Sequence, residues 1–233
     1  MSMADPDQRA FLDVEQSLSG NRWADRLDLR GRNEALAISQ TSDIPEIVAR
    51  VLAGRGVTAD EAEGFLAPTL RDLMPDPSTL TAMDEAAGRI AAAISAGERV
   101  AIFGDYDVDG AVSAALLARF LSAFGISHEI YIPDRIFEGY GPNPEAIRQL
   151  IDNGAKLIVT VDCGSTSFEA LEAAKETGVD VVVLDHHQLG SELPSAKALV
   201  NPNRQDDLSG LGYLCAAGVV FMTLVAVQRE LRN

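Results

Sequence analysis

A chain of 233 residues with 47% hydrophobic content and a formal net charge of −16 is long enough for one large or two small domains with a real core, and is not a disordered protein. The acidic balance argues against nucleic-acid binding over a broad basic surface, which depends on phosphate neutralisation. It leaves room for an enzyme whose metal ions and few arginines meet phosphates, and its ordinary reading is solubility. Two cysteines, Cys163 and Cys215, give neither a disulfide framework nor zinc-ligand spacing, and the polar, acidic N-terminus carries no secretory signal, so a reducing cytoplasm is expected.

Residues 1–35 mix Asp, Arg, Asn and Gly with little periodicity, with Trp23 as their one large anchor, and predict a loosely packed extended arm. From Ser42, the stripe Ile44, Ile47, Val48, Val51 and Leu52 predicts a helix ending at Gly54. Thr58 with Glu61 forms a capping-box signal for a short helix through Leu66 that Pro68 stops. Met83, Ala86, Ala87, Ile90 and Ile94 mark a third helix, ended by Gly97. Residues 1–97 therefore read as an arm and a small helical region, without a catalytic pattern.

Residues 98–233 read as an α/β domain. Short apolar strands (99–103, 128–132, 157–161 and 179–184) alternate with helices over 110–124, from Asn143-Pro144 to about Ile151, and from a Thr166/Glu169 capping box to Gly178. This rhythm predicts a doubly wound, mostly parallel sheet flanked by helices. The small apolar run Leu211–Val227 falls short of the ~20 residues of a membrane span and predicts a buried helix, so no membrane association is expected.

The stretch VAIFGDYDVDG delivers Asp105, Asp107 and Asp109 at every second position before Gly110 opens a helix. Carboxylates this close repel one another and call for a hard cation. A calcium loop is excluded because its twelfth position is Leu116, where a bidentate glutamate belongs, and because a strand precedes it. Ligands of an open parallel sheet gather at the carboxyl ends of its strands. Asp162 in VTVDCGS and Asp185-His186-His187 in VVVLDHHQ fall on that same edge. Carboxylates with imidazole and no placed thiolate suit Mn²⁺ best and Mg²⁺, Fe²⁺ or Zn²⁺ less well; Cys163 reads as a small buried residue.

GDYDVDG, VDCG and LDHH, in this order and spacing, resemble the DHH phosphoesterase superfamily. IFGDYDVDGAVSAALL, IPDRIFEGYGPN, LCAAGVVF and the upstream FLAPTLRDLMPDP resemble its single-stranded-DNA-specific 5′→3′ exonuclease branch, over roughly residues 40–230. The resemblance implies a two-metal phosphodiesterase. Asp107 would bind one metal, Asp109 and His186 the other, and Asp162 would bridge them. His187 and Asp105 would be catalytic, the first as phosphate ligand or general acid, the second adding a ligand or positioning water, with Asp185 orienting a histidine. Arg135 and Tyr140, with Gly139 and Gly141 allowing close backbone approach, would contact a DNA phosphate. Phe103 stands where many relatives carry a histidine. The resemblance also implies a fourth-motif aspartate and a closing domain. Asp206 and Asp207 lie too early to supply that motif, so the chain is expected to be an N-terminal fragment with weak metal binding and little activity. The expected partners are single-stranded DNA and, through regions outside the fragment, a single-strand-binding protein or a helicase. The competing readings are a phosphoesterase for small nucleotides or pyrophosphate, and a non-catalytic scaffold.

Overall fold

The computed structural model describes residues 10–232, so the first nine residues of the expected arm lie outside the described residues. Residue contacts divide the chain into two units between Met74 and Pro75. The first holds α1 (Leu29–Ser42), α2 (Glu46–Gly54), α3 (Ala62–Leu66) and α4 (Leu70–Leu73). Its small core is Leu27, Ala35, Ile38, Ala49, Leu52, Val57 and Ala62.

Helix α1 corrects the expected arm. It opens on Leu29, Arg30, Gly31, Arg32 and Asn33 and buries only Ala35 and Ile38, so its sequence shows no stripe. What starts it is Asp28, whose carboxylate accepts the Gly31 amide at 2.7 Å. In α2 the buried face is Ala49 and Leu52, while Ile47 and Val51 of the expected stripe are exposed. Glu61 accepts both the Thr58 amide (3.0 Å) and its hydroxyl (2.9 Å) just before α3.

The second unit contains α5 (Met83–Ala96), β1 (Val100–Gly104), α6 (Val108–Ala123), β2 (His128–Tyr131), α7 (Pro144–Asp152), β3 (Leu157–Val161), α8 (Phe168–Glu176), β4 (Asp180–Leu184), β5 (Ala198–Val200) and α9 (Ala216–Glu230). The strands form one parallel sheet in the order β2-β1-β3-β4-β5, so the α/β expectation holds. Helix α5, grouped by sequence with the N-terminal region, packs here on α9 and β5. Strand β5 has no counterpart among the strands that the sequence predicts.

Strands β1 and β3 are buried at every position, as a sheet covered on both faces requires. Ala101, Phe103, Ile158, Val181 and Val183 join Ala146, Ile147 and Leu150 of α7 and Ala170, Leu171 and Ala174 of α8 in one cluster. The alternate strand residues, Val100, Ile102, Leu157, Val159 and Val182, face the other layer, where α5 and α6 both pack on α9. The run expected to be helical from Leu211 becomes α9 only at Ala216. No helix among the described residues is long and apolar enough to cross a membrane. Helix α8 begins at Phe168 with no side-chain cap, so the Thr166/Glu169 box does not form.

Candidate metal centre

The chain reverses direction across the sheet between β1 and β3, since β1 leads outward to β2 and β2 returns to β3. A crevice at the carboxyl ends of strands flanking such a switch is where open α/β sheets take ligands. Asp105, Asp107 and Asp109 follow β1 and Asp162 follows β3, with Asp185, His186 and His187 next to them after β4.

Local backbone chemistry fixes each carboxylate. Asp107 caps α6, one oxygen accepting the amides of Asp109 (2.9 Å) and Gly110 (3.0 Å), which holds its pKa below the usual range. Gly110 is required by proximity: a Cβ there would stand 2.6 Å from the Asp105 carbonyl oxygen. Asp105 is buried and accepts the Tyr106 amide at 2.7 Å; burial raises its pKa. Asp109 has both oxygens on the N-terminus of α9, at 2.7 Å from the Ala216 amide and 2.8 Å from that of Ala217.

Asp162 is the centre of the arrangement. Its backbone is left-handed at φ 61°, a conformation uncommon for residues with a side chain and best tolerated among them by Asp and Asn. It is 1% exposed, and among the described residues no donor reaches either carboxylate oxygen, the neighbouring Asp107 carboxyl pairing with it only when one of the two is protonated. Burial, then the charges of Asp109 and Asp107, push its pKa up to about 8. Ligand atoms of Asp105, Asp107 and Asp162 lie within 4.8 Å of one another, and so do those of Asp162, His186 and His187. Two ligand triads therefore share Asp162. Asp109 joins neither, although its Oδ2 is 3.6 Å from His186 Nε2. A buried carboxylate that no donor satisfies, between two triads of oxygen and imidazole donors, fits divalent cations such as Mn²⁺ or Mg²⁺.

The DHH family, N-terminal domain, matches residues 99–233. The chain belongs to the DHH family. Among relatives of this DHH chain, the single-stranded-DNA-specific exonuclease RecJ of Bacillus subtilis (strain 168) is 38% identical over 90% of this chain and 26% of its own length. That of Escherichia coli (strain K12) is 34% identical over 89% of this chain and 36% of its own length. The DHH chain thus spans only about a quarter to a third of these relatives. Two crystal structures share its fold. Exonuclease RecJ bound to manganese has 37% identity and a TM-score of 0.60 over 65% of this chain and 38% of that one. RecJ in complex with Mn²⁺ from Thermus thermophilus has 29% identity and a TM-score of 0.69 over 86% and 28%.

The triplet that the DHH family is named for is held from below. Asp185 is buried; its Oδ1 accepts from His187 Nδ1 at 2.8 Å and from the His186 amide at 2.7 Å, and its Oδ2 from the Ser165 amide at 3.1 Å. Burial opposes its ionisation, but the hydrogen bonds from His187 and Ser165 outweigh burial and lower its pKa. An ionised carboxylate only accepts, so Nδ1 of His187 carries the proton. Desolvation acts against the imidazolium, yet the Asp185 pairing prevails and raises the His187 pKa.

Tyr140 donates its hydroxyl to the Asp162 carbonyl at 3.1 Å and lies edge-on to His187. Arg135 lies over the ring of Tyr106, 5.2 Å from its centroid, and Tyr106 meets Tyr140 edge-on. Tyr106, which sequence reasoning misses, therefore connects Arg135 to the centre. Gly139 and Gly141 both have left-handed backbone, at φ 83° and 76°, and among the described residues no atom would crowd a Cβ at Gly139. Asp206 pairs with Arg204, and Asp207 accepts the Thr81 amide.

Proposed function

We propose that the chain is the DHH-domain portion of a metal-dependent exonuclease that shortens single-stranded DNA from its 5′ end by phosphodiester hydrolysis, in DNA repair and recombination. The observation that carries this reading is the unpartnered, buried carboxylate of Asp162 between the two ligand triads; the exonuclease names and metals of the relatives support it. Asp107, Asp109, Asp162 and His186 would hold Mn²⁺ or Mg²⁺, two ions in all. When bound, such ions lower the pKa of a water and neutralise phosphate oxygens.

The remaining groups act around the scissile phosphate. His187, protonated on Nδ1 and steadied by Asp185, presents Nε2 as the proton donor to the leaving oxygen, and the Asp185 pairing that raises its pKa favours the acid form. Asp105 accepts a hydrogen bond from the attacking water. Arg135 on the Tyr106 ring offers its guanidinium to a neighbouring phosphate. Tyr140 keeps the Asp162 peptide in place and borders the phosphate beside His187. A cytoplasmic setting, with a single-strand-binding protein or a helicase as recruiting partner, belongs to the same proposal.

Calorimetric titration with Mn²⁺, followed by incubation with 5′-labelled DNA, tests the reading. Weak Mn²⁺ binding that Asp162→Ala removes is expected, with slow cleavage at the 5′ end of single strands and none of duplex. Absence of Mn²⁺ binding would overturn the metal-centre reading. Preferred hydrolysis of dinucleotides or pyrophosphate would overturn the DNA assignment.

A further inference from the structure

The turn after β5 reads Asn201-Pro202-Asn203, and both asparagines reach across to the loop after β4. Asn201 is fully buried. Its Nδ2 donates to the His187 carbonyl at 3.0 Å and to the Ser165 hydroxyl at 2.9 Å, and its Oδ1 accepts the Asn203 amide at 2.8 Å. Asn203 Nδ2 donates to the His186 carbonyl. The Asp185 amide donates to the Val200 carbonyl at 3.0 Å, which carries the β4–β5 ladder to the first residue of the loop.

We infer that Asn201 and Asn203 are positioning residues that bracket the His186-His187 dipeptide, one amide for each carbonyl. This rests on the metal-centre reading of those histidines. Past the end of a strand, no ladder fixes the peptide planes, and rotating either plane re-aims the adjoining imidazole. Holding both carbonyls from one side, while the Asp185 carboxylate holds both amides from the other, fixes the backbone from which both rings project: His186 Nε2 lies 3.4 Å from Asp162 Oδ1 and 3.6 Å from Asp109 Oδ2, and His187 lies on Asp185. An asparagine suits the task because its carboxamide donates to one strand end while accepting from its own turn. Filling a gap in the core would require neither donor to meet a histidine carbonyl. Losing support behind the groups that touch a metal typically costs about ten- to a hundredfold in metal affinity.

The test uses Asn203→Ala and Asn201→Asp. The partly exposed Asn203 can lose its side chain without opening the core, and Asn201→Asp keeps the acceptor while removing the donor. Two readouts apply to chains shown by thermal melting to be folded: Mn²⁺ affinity by calorimetry, and the imidazole ¹H–¹⁵N spectrum of the metal-free chain. Expected are a loss of Mn²⁺ affinity of roughly tenfold and displaced or broadened His186 and His187 signals, with His128 unchanged as the internal standard. Unchanged His186 and His187 signals in folded Asn203→Ala would overturn the bracket even if Asn201→Asp fails to fold. Wild type that binds no Mn²⁺ defeats the metal reading instead, and the imidazole spectra still decide the inference.

Discussion

Asp162 combines three uncommon conditions: a left-handed backbone, near-complete burial and, among the described residues, no donor to either carboxylate oxygen. Between pH 3.8 and about 8 the folded, metal-free chain holds a proton on this carboxyl that the unfolded chain has released. Stability of the metal-free fold therefore falls as pH rises through that window and levels off above it. Asp162→Asn, which tolerates the same backbone conformation, is expected to melt higher than wild type at pH 8, on the order of 5 °C, and close to it at pH 4. Saturating Mn²⁺ reverses the order, because only the carboxylate gains from a cation; calorimetric scans at both pH values check this. At the neighbouring Asp185 the sign is opposite. Its lowered pKa contributes stability above the ordinary carboxylate range that is lost as pH falls through the folded value. Asp185→Asn withdraws the charge facing His187 Nδ1, so the His187 pKa moves down toward 6.5, which an NMR titration measures.

At the scale of elements, the centre depends on how helices begin. Asp109 caps α9 from another helix, where Cys215 at the capping position contributes no side-chain hydrogen bond. Asp109→Ala is expected to cost about 1 kcal/mol and to speed hydrogen exchange at the Ala216 and Ala217 amides, leaving α8 amides unchanged. Gly110→Ala forces a Cβ onto the Asp105 peptide; displacement of the whole first loop is expected, with a lower melting temperature and weakened Mn²⁺ binding read together. The sequence made α6 and β1 visible because their side chains carry the pattern: apolar strand, spaced carboxylates, glycine. It hid β5, which spans three residues between turns, and α1, whose start is one carboxylate on one amide. Asn201, Asn203 and Tyr106 were equally hidden. Two of them act on backbone carbonyls and the third through its ring face, contacts that leave no spacing to read.

For the whole chain, all residues of the centre lie within Pro75–Asn233. A protein consisting of residues 75–233 is expected to fold, with the same Mn²⁺ affinity as the full chain, by circular dichroism and calorimetry. Starting instead at residue 98, as the hydrophobic rhythm suggests, removes α5. Met83, Ala86, Ala87, Ile90 and Ile94 are buried on that helix, which packs on α9 and β5. At roughly 1–2 kcal/mol for each buried large side chain, this shorter protein is expected to aggregate or melt well below the 75–233 form. The α/β order was legible because parallel strands are buried on both faces and alternate with capped helices. The packing of α5 was not, since it resembles any amphipathic helix until its partner α9 is known, more than a hundred residues later.

If Asp109 holds the cation as proposed, its clamp on α9 makes that helix a thermodynamic lever on the metal. Whatever free energy Mn²⁺ gains or loses by drawing on that carboxylate is returned, in equal measure, as a change in how firmly α9 is seated, and the coupling is reciprocal. A load applied to α9 is therefore read at the metal, and the occupancy of the metal is read along α9.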